Sequence, residues 1–308
     1  MTVAMTVRKE IGYVLHKLNW MREEQIWPNG MRYLWTDAFG VVLLVSLYTE
    51  LDDGRFLDEA EWVVAEVDRV LGRTRGIRIG EEPDRDGQYF HYLAMWLYAL
   101  AVLAQYRPDY RRHGVDLVHE IHDAFLVPGR GVVWKMKEDL SGPYPGFGLG
   151  ALDAFDGYVS YRALDEAMLS REIADMRSLI DQTAADLVIT QDLGLGMMLW
   201  LTHFFPKEPW AVIQKRRCLA MLDKMWQKQG YFCREPDDLQ TKFAFTNYGV
   251  SVGLQAVDES PERVQRLNQY FDDYRSGDEY DRAAITHVMA CNSHFPGELV
   301  GNLSASRA

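Results

Sequence analysis

Apolar residues recur along this chain in two alternating patterns. In the first they fall at i, i+3, i+4 and i+7 among charged residues. Examples are DEAEWVVAEVDRVLG (58–72), RRHGVDLVHEIHDAFL (111–126), DEAMLSREIADMRSLIDQTAADL (165–187), EPWAVIQKRRCLAMLDKMWQK (208–228) and PERVQRLNQYFDDY (261–274). That spacing lays one apolar stripe on a helix of 3.6 residues per turn, so one side is buried and the other wetted. The second pattern is small, apolar and aromatic nearly all round. It covers DAFGVVLLVSLY (37–48), YFHYLAMWLYALAVLAQY (89–106), ALDAFDGYVSYRAL (151–164), DLGLGMMLWLTHFF (192–205), TNYGVSVGLQAV (246–257) and ITHVMACNSHF (285–295). A helix apolar on every side belongs inside. With RKEIGYVLHKLNWMREEQ (8–25) as the first outer member, six outer and six inner helices alternate strictly through one all-α domain, residues 1–308. Strands are poorly supported, because β-branched runs are short and hairpin dipeptides are lacking apart from Asn29-Gly30.

The connections are unequal. Inner-to-outer links are short, such as TELDDG (49–54), RPDY (107–110) and DESP (258–261). Outer-to-inner links are mostly long and rich in Gly, Pro and aromatics: IWPNGMRYLW (26–35), RTRGIRIGEEPDRDGQ (73–88), VPGRGVVWKMKEDLSGPYPGFGLG (127–150) and GYFCREPDDLQTKFAF (230–245). Long loops in a compact domain commonly carry function. All of these precede inner helices, which places them together over the inner-helix N-termini.

Composition narrows the partners. The chain has 48% hydrophobic and 25% charged residues, as a globular protein does, and a formal net charge of −12. An acidic chain without a basic face is not suited to nucleic acid, since phosphate binding needs one. Cys218, Cys233 and Cys291 are an odd count without CxxC spacing, which fits a reducing compartment and no disulfide framework. The N-terminus lacks a secretory pattern, and no run of 18 residues is free of polar groups, so a cytoplasmic protein without a membrane span is expected. A small molecule or oligosaccharide is the expected ligand, with no cofactor.

Twelve alternating helices with long outer-to-inner loops resemble the six-hairpin glycosidase-like (α/α)6 toroid, over almost the whole chain. The segment LWTDAFGVVLLVSLYTELDDGRFLDEA (34–60) is similar to one in the unsaturated glucuronyl and rhamnogalacturonyl hydrolases. There a Trp-x-Asp leads an inner helix and a Gly–aromatic–Leu-Asp-Glu-Ala opens the next outer one. The resemblance implies a toroid whose mouth holds the chemistry. In those hydrolases one aspartate protonates and hydrates a double bond, which makes Asp37 and Asp86 the candidates by position. Arg32, Arg85 and Lys135 would be the cations for a uronate.

Residues at the inner-helix starts are Asp37, then Asp86 with Gln88 and His91, Asp153 with Asp156, Asp192, Asn247 with Tyr248, and His287. The plain explanation of any lone acid there is capping, because Asp suits the positive end of a helix. Asp156 lies a turn beyond Asp153 on the same face, where two acids repel and one pKa rises. That arrangement makes a general acid near neutral pH, so Asp37, Asp86, Asp153 and Asp156 are the catalytic candidates. Glycoside hydrolysis needs two carboxyls about 5–9.5 Å apart. Trp27, Tyr33, Trp35, Tyr89, Trp134, Tyr144 and Phe147 suit sugar stacking, or else anchor their loops. SGPYPGFGLG (141–150) is placed to act as a flap.

Other motifs weigh less. HEIH (119–122) sits on an amphipathic outer helix and is read as packing. His287, Cys291 and His294 have helical metal-ligand spacing but no fourth ligand, and no metal is expected. The leading expectation is therefore a glycoside or unsaturated-uronide hydrolase using aspartate acid/base catalysis. The alternative is a sugar epimerase or isomerase of the N-acylglucosamine 2-epimerase type, which shares the toroid and typically uses two inner-helix histidines. His91 and His287 would serve, without an evident inner-helix glutamate. A third reading is a cyclase or binding scaffold with an apolar funnel for a non-sugar ligand.

Overall fold

A computed structural model describes residues 2–227 and 244–301, with side chains described from residue 9 onward. Most of the loop 230–245, with Cys233, lies outside the described residues. The described helices are α1 (Thr2–Glu23), α2 (Leu34–Leu51), α3 (Arg55–Leu71), α4 (Phe90–Leu103), α5 (Asp109–Phe125), α6 (Asp153–Leu164), α7 (Ser170–Thr183), α8 (Asp192–Phe204), α9 (Pro209–Gln227), α10 (Ala244–Ala256), α11 (Pro261–Asp273) and α12 (Ala284–His294). The alternation predicted from hydropathy holds through all of them.

Burial follows the two patterns. Every residue of α2 from Leu34 to Leu47 is buried, whereas α3 buries Phe56, Leu57, Ala60, Val63, Val64, Val67 and Leu71 along one stripe. Helix α2 is long and apolar enough to cross a bilayer, but 78% of it is buried among its neighbours, as a core helix requires. Sharp left-handed residues end the elements: Asp52, at φ 53°, closes α2, and Ser260, at φ 49°, opens α11 before Pro261.

The chain forms two compact units, residues 31–185 and residues 1–30 with 186–308. In the first, inner helices α2, α4 and α6 pack in sequence order, with α3, α5 and α7 against them. In the second, α8, α10 and α12 form the corresponding row, with α9 on α8, α11 on α10 and α1 on α12. Helices α8 and α10 meet backbone to backbone. A Cβ on Gly253 would lie 2.1 Å from the Gly196 carbonyl oxygen, so only glycine permits the approach.

Four two-residue strands, absent from the sequence reading, hold the long loops of the first unit. They are β1 (Gln88–Tyr89), β2 (Leu126–Val127), β3 (Gly131–Val132) and β4 (Lys135–Met136), with β1 antiparallel to β4 and β2 to β3. Such short pairs escape a period-two pattern because they need only two or three ladder bonds.

Candidate active site

The loops before α2, α4 and α6 are woven together. Leu34 N–H donates to the Ile79 carbonyl at 2.9 Å, and Glu81 N–H to the Arg32 carbonyl at 2.9 Å. Gln88 is fully buried and acts as a strap. Its amide nitrogen donates to the carbonyls of Arg75 (2.9 Å) and Glu138 (2.7 Å), and its oxygen accepts Ile77 N–H at 2.9 Å. Strand β4 lies beside β1 on one side, while Trp134 N–H reaches the Gly148 carbonyl and Gly150 N–H the Val132 carbonyl, each at 2.9 Å, on the other. The 141–150 segment is thus tied to the β3–β4 ribbon at several points, in place of the flap that its Gly/Pro content suggested. One ribbon neighbours the starts of both α4 and α6.

On this framework sits an aromatic shelf around His91. Trp134 is 41% exposed and stacks on Tyr89, with centroids 5.6 Å apart and planes 20° off parallel. Its indole N–H donates to His91 Nδ1 at 3.3 Å. Trp35 and Tyr92 enclose the imidazole with ring centroids at 5.7 and 4.6 Å. Burial pushes His91 down to about 3, so the ring is neutral at physiological pH. A nitrogen that accepts a hydrogen bond does not carry the proton, so the proton sits on Nε2, which has no partner among the described residues. Trp35 is 2% exposed and its indole N–H also lacks a partner among the described residues. Tyr92, whose hydroxyl pairs with that of Tyr33, was missed from sequence because it reads as one more apolar position of α4.

The four candidate acids fall into three environments. Asp37 is completely buried, and Arg32 Nη1 meets its carboxylate at 3.1 Å. The N-cap is Tyr33 rather than Asp37, because the helix begins three residues earlier than the hydropathy pattern indicated. Asp37 instead accepts the Tyr33 N–H at 3.3 Å from within the first turn. Asp86 is held by the Tyr144 hydroxyl at 2.6 Å and by Lys135 Nζ at 3.3 Å. The tyrosine hydrogen bond, more than any other influence, keeps its carboxyl below the usual range. Lys135 is itself buried, with Nζ 3.8 Å from the Tyr144 ring centre. Arg85 faces Glu82 at 3.6 Å and lies over the Tyr33 ring. The cations expected for a uronate therefore already have carboxylate partners.

Asp153 and Asp156 differ. Both are buried in the first turn of α6, and among the described residues neither has a cation partner. Burial raises the Asp153 carboxyl, and burial together with the Asp153 charge raises Asp156. The Asp153 Oδ1 atom is buried without a partner among the described residues.

The remaining candidates belong to the second unit. Trp27 is buried, 1% exposed, in the core of its own unit. Asp192 accepts from the Thr246 hydroxyl at 2.8 Å, which links α8 to α10. Asn247 and Tyr248 are buried. Both nitrogens of His287 are engaged, Nδ1 by Lys17 Nζ at 3.4 Å and Nε2 by the Asp281 carbonyl at 2.8 Å. Burial pushes it to about 4 and also lowers Lys17. Lys17 was missed because its partner is 270 residues away. Cys291 is buried, and His294 pairs with Asp272 at 3.0 Å. In the first unit His122, of the HEIH motif, packs between Tyr161 and Asp175.

No family model matches the chain. No curated protein matches it significantly either. Two solved structures are similar. The cellobiose 2-epimerase of Bacillus thermoamylovorans B4167 superposes with a TM-score of 0.55 at 10% identity, covering 84% of this chain and 88% of that one. The cellobiose 2-epimerase of Spirochaeta thermophila DSM 6192 gives 0.51 at 13% identity, covering 86% of each. Helix alternation and this likeness agree: the chain has the all-α (α/α)6 toroid fold.

Proposed function

We propose that this protein is a carbohydrate-active enzyme of the epimerase or isomerase type, moving a proton on the carbon beside the carbonyl of a reducing sugar. The observation that carries the reading is His91, a neutral imidazole that presents Nε2–H beside an aromatic shelf. A neutral imidazole is a suitable electrophile for such chemistry. It polarises the carbonyl and stabilises the enediolate oxygen as the neighbouring carbon loses its proton. Tyr89 and Trp134 offer flat faces for the CH-rich side of a sugar, and the Trp35 N–H is a second donor unfilled among the described residues. The fold shared with two cellobiose 2-epimerases supports the same chemistry.

The hydrolase reading draws less support. Of its four candidate acids, Asp37 is spent on Arg32 and Asp86, the other acid offered for a uronide, is held ionised by Tyr144 and Lys135. The test is incubation with cellobiose and other reducing disaccharides in deuterium oxide. Deuterium at C2, with an epimer or ketose product and no glycosidic cleavage, is expected. His91→Gln is expected to slow exchange by about 10²–10³-fold, as loss of an oxyanion donor does. Cleavage of glycosides or unsaturated uronides without C2 exchange would refute the proposal.

A further inference from the structure

The first turn of α6 carries two carboxyls that no neighbouring charge among the described residues balances. Asp153 is 3% exposed and Asp156 7%, and their i, i+3 spacing puts them on one face. The elements packed on α6 bring His91 and Tyr92 from α4, His122 from α5, and Glu172 and Asp175 from α7. Among the described residues none of these hydrogen-bonds or ion-pairs with either carboxyl. His122 is committed to Asp175, and Glu172 to Arg171. Arg162, on α6 itself, is committed to Glu166. The Asp153 carboxylate lies close over Gly150, where a Cβ would fall 1.7 Å from Oδ2, so the loop end is shaped around it. Its Oδ1 atom is buried and unpartnered among the described residues. Two ionised carboxylates do not persist together in such a place, so the pair keeps a proton through the neutral range.

We propose that Asp153 and Asp156 are the proton-transfer pair of this enzyme, with Asp153 touching the substrate carbon and Asp156 setting its proton affinity. The inference rests on the epimerase or isomerase reading and assigns its missing base. In the open-chain sugar, the Asp153 carboxylate takes the C2 proton. The C–H electron pair forms the C1–C2 double bond, and the carbonyl π pair moves to O1, which accepts the His91 Nε2–H hydrogen bond. The protonated Asp153 then returns the proton. Delivery to C2 after the enediolate has turned its other face to Asp153 gives the epimer with the carbonyl re-formed at C1, and delivery to C1 with passage of the C2 hydroxyl proton to O1 gives the ketose. The start of α6 neighbours the ribbon that carries Trp134, which orients His91 at the start of α4.

The experiment compares the full-length wild type, Asp153→Asn, Asp156→Asn and His91→Gln, with folding checked by circular dichroism. Exchange of C2 hydrogen into cellobiose is measured by NMR across pH, and aspartate carboxyls are followed by carbon-13 NMR without substrate. Asp153→Asn is expected to lower exchange by ~10²–10⁴-fold, the usual contribution of a positioned acid or base. Asp156→Asn removes the like charge, so exchange persists with its rate-controlling pKa moved to lower pH. The carbon-13 titration of the wild type is expected to show two carboxyls ionising far above the ordinary aspartate range, with only the Asp156 one left in Asp153→Asn. Wild-type exchange that Asp153→Asn matches, with His91→Gln inactive, overturns the pair and leaves the reading intact. A wild type that exchanges no reducing sugar overturns both.

Discussion

Replacing Asp37 by alanine isolates the ion pair at the head of α2. Arg32 and Asp37 meet at 3.1 Å with side chains only 4% and 1% exposed. Two unit charges at that distance attract by about 5 kcal/mol at an effective dielectric constant of ~20. Most of that attraction offsets the desolvation of both groups. Deleting only the carboxylate keeps the cost of burying arginine while removing the attraction, and it deprives Tyr33 N–H of its acceptor. Asp37→Ala is therefore expected to destabilise by ~3–5 kcal/mol. The double variant Arg32→Met, Asp37→Leu removes both charges and is expected to recover most of that loss. Urea unfolding at neutral pH measures the change. Hydrogen exchange of the α2 amides localises it, because a chain with two compact units need not unfold in one step. An Asp37→Ala protein within ~1 kcal/mol of wild type refutes the reasoning, as does a double variant no better than the single. If the single variant were stable yet inactive on sugars, Asp37 would be a chemical group after all.

Three further outcomes are expected. The folded Asp153 carboxyl is pushed up to about 8 from 3.8, so the folded chain keeps a proton that the unfolded chain has lost, and stability falls as pH rises from about 4 to 8. His91, at about 3 against 6.5, acts oppositely, so stability rises with pH between those values. Melting across pH checks the first: Asp153→Asn is expected to gain on wild type steadily from pH 4 to 8, and parallel curves would contradict it. Gly253→Ala forces α8 and α10 apart and is expected to cost ~1–3 kcal/mol or more in a thermal melt, with no loss sinking the close-approach explanation. Trp134→Phe keeps most of the stack on Tyr89 but deletes the donor to His91 Nδ1. Stability is expected to stay within ~0.5 kcal/mol, while the nitrogen-15 shifts of His91 reveal mixed tautomers. An unchanged tautomer would show that Trp134 does not set it.

Hydropathy made the fold legible because burial is a local requirement repeated many times. Residues such as Val63, Val64 and Val67 on α3, against the unbroken run Leu34–Leu47 on α2, differ in sequence as they differ in place. The acid pair was legible too, since i, i+3 spacing on a helix needs no tertiary information. The partners were not. That Asp37 belongs to Arg32, Asp86 to Tyr144 and Lys135, and His91 to Trp134 depends on which loops meet. The two-residue strands that bring those loops together are too short to leave a periodic trace.

The sequence by itself determined the alternation of inner and outer helices, the long loops before inner helices, and the set of polar residues placed at those helix starts. Only the tertiary structure decided which of those residues are satisfied. Arg32, Lys135 and Gln88, all plausible ligands for a substrate, are consumed by the framework. Among the described residues, His91 Nε2, the Trp35 N–H and the carboxyls of Asp153 and Asp156 are not. The physical reason is that a side chain's charge and hydrogen-bonding capacity are properties of the residue, whereas their neutralisation is a property of its neighbours. Those neighbours come together only when distant chain segments, such as those of Asp86 and Tyr144, 58 residues apart, fold onto one another.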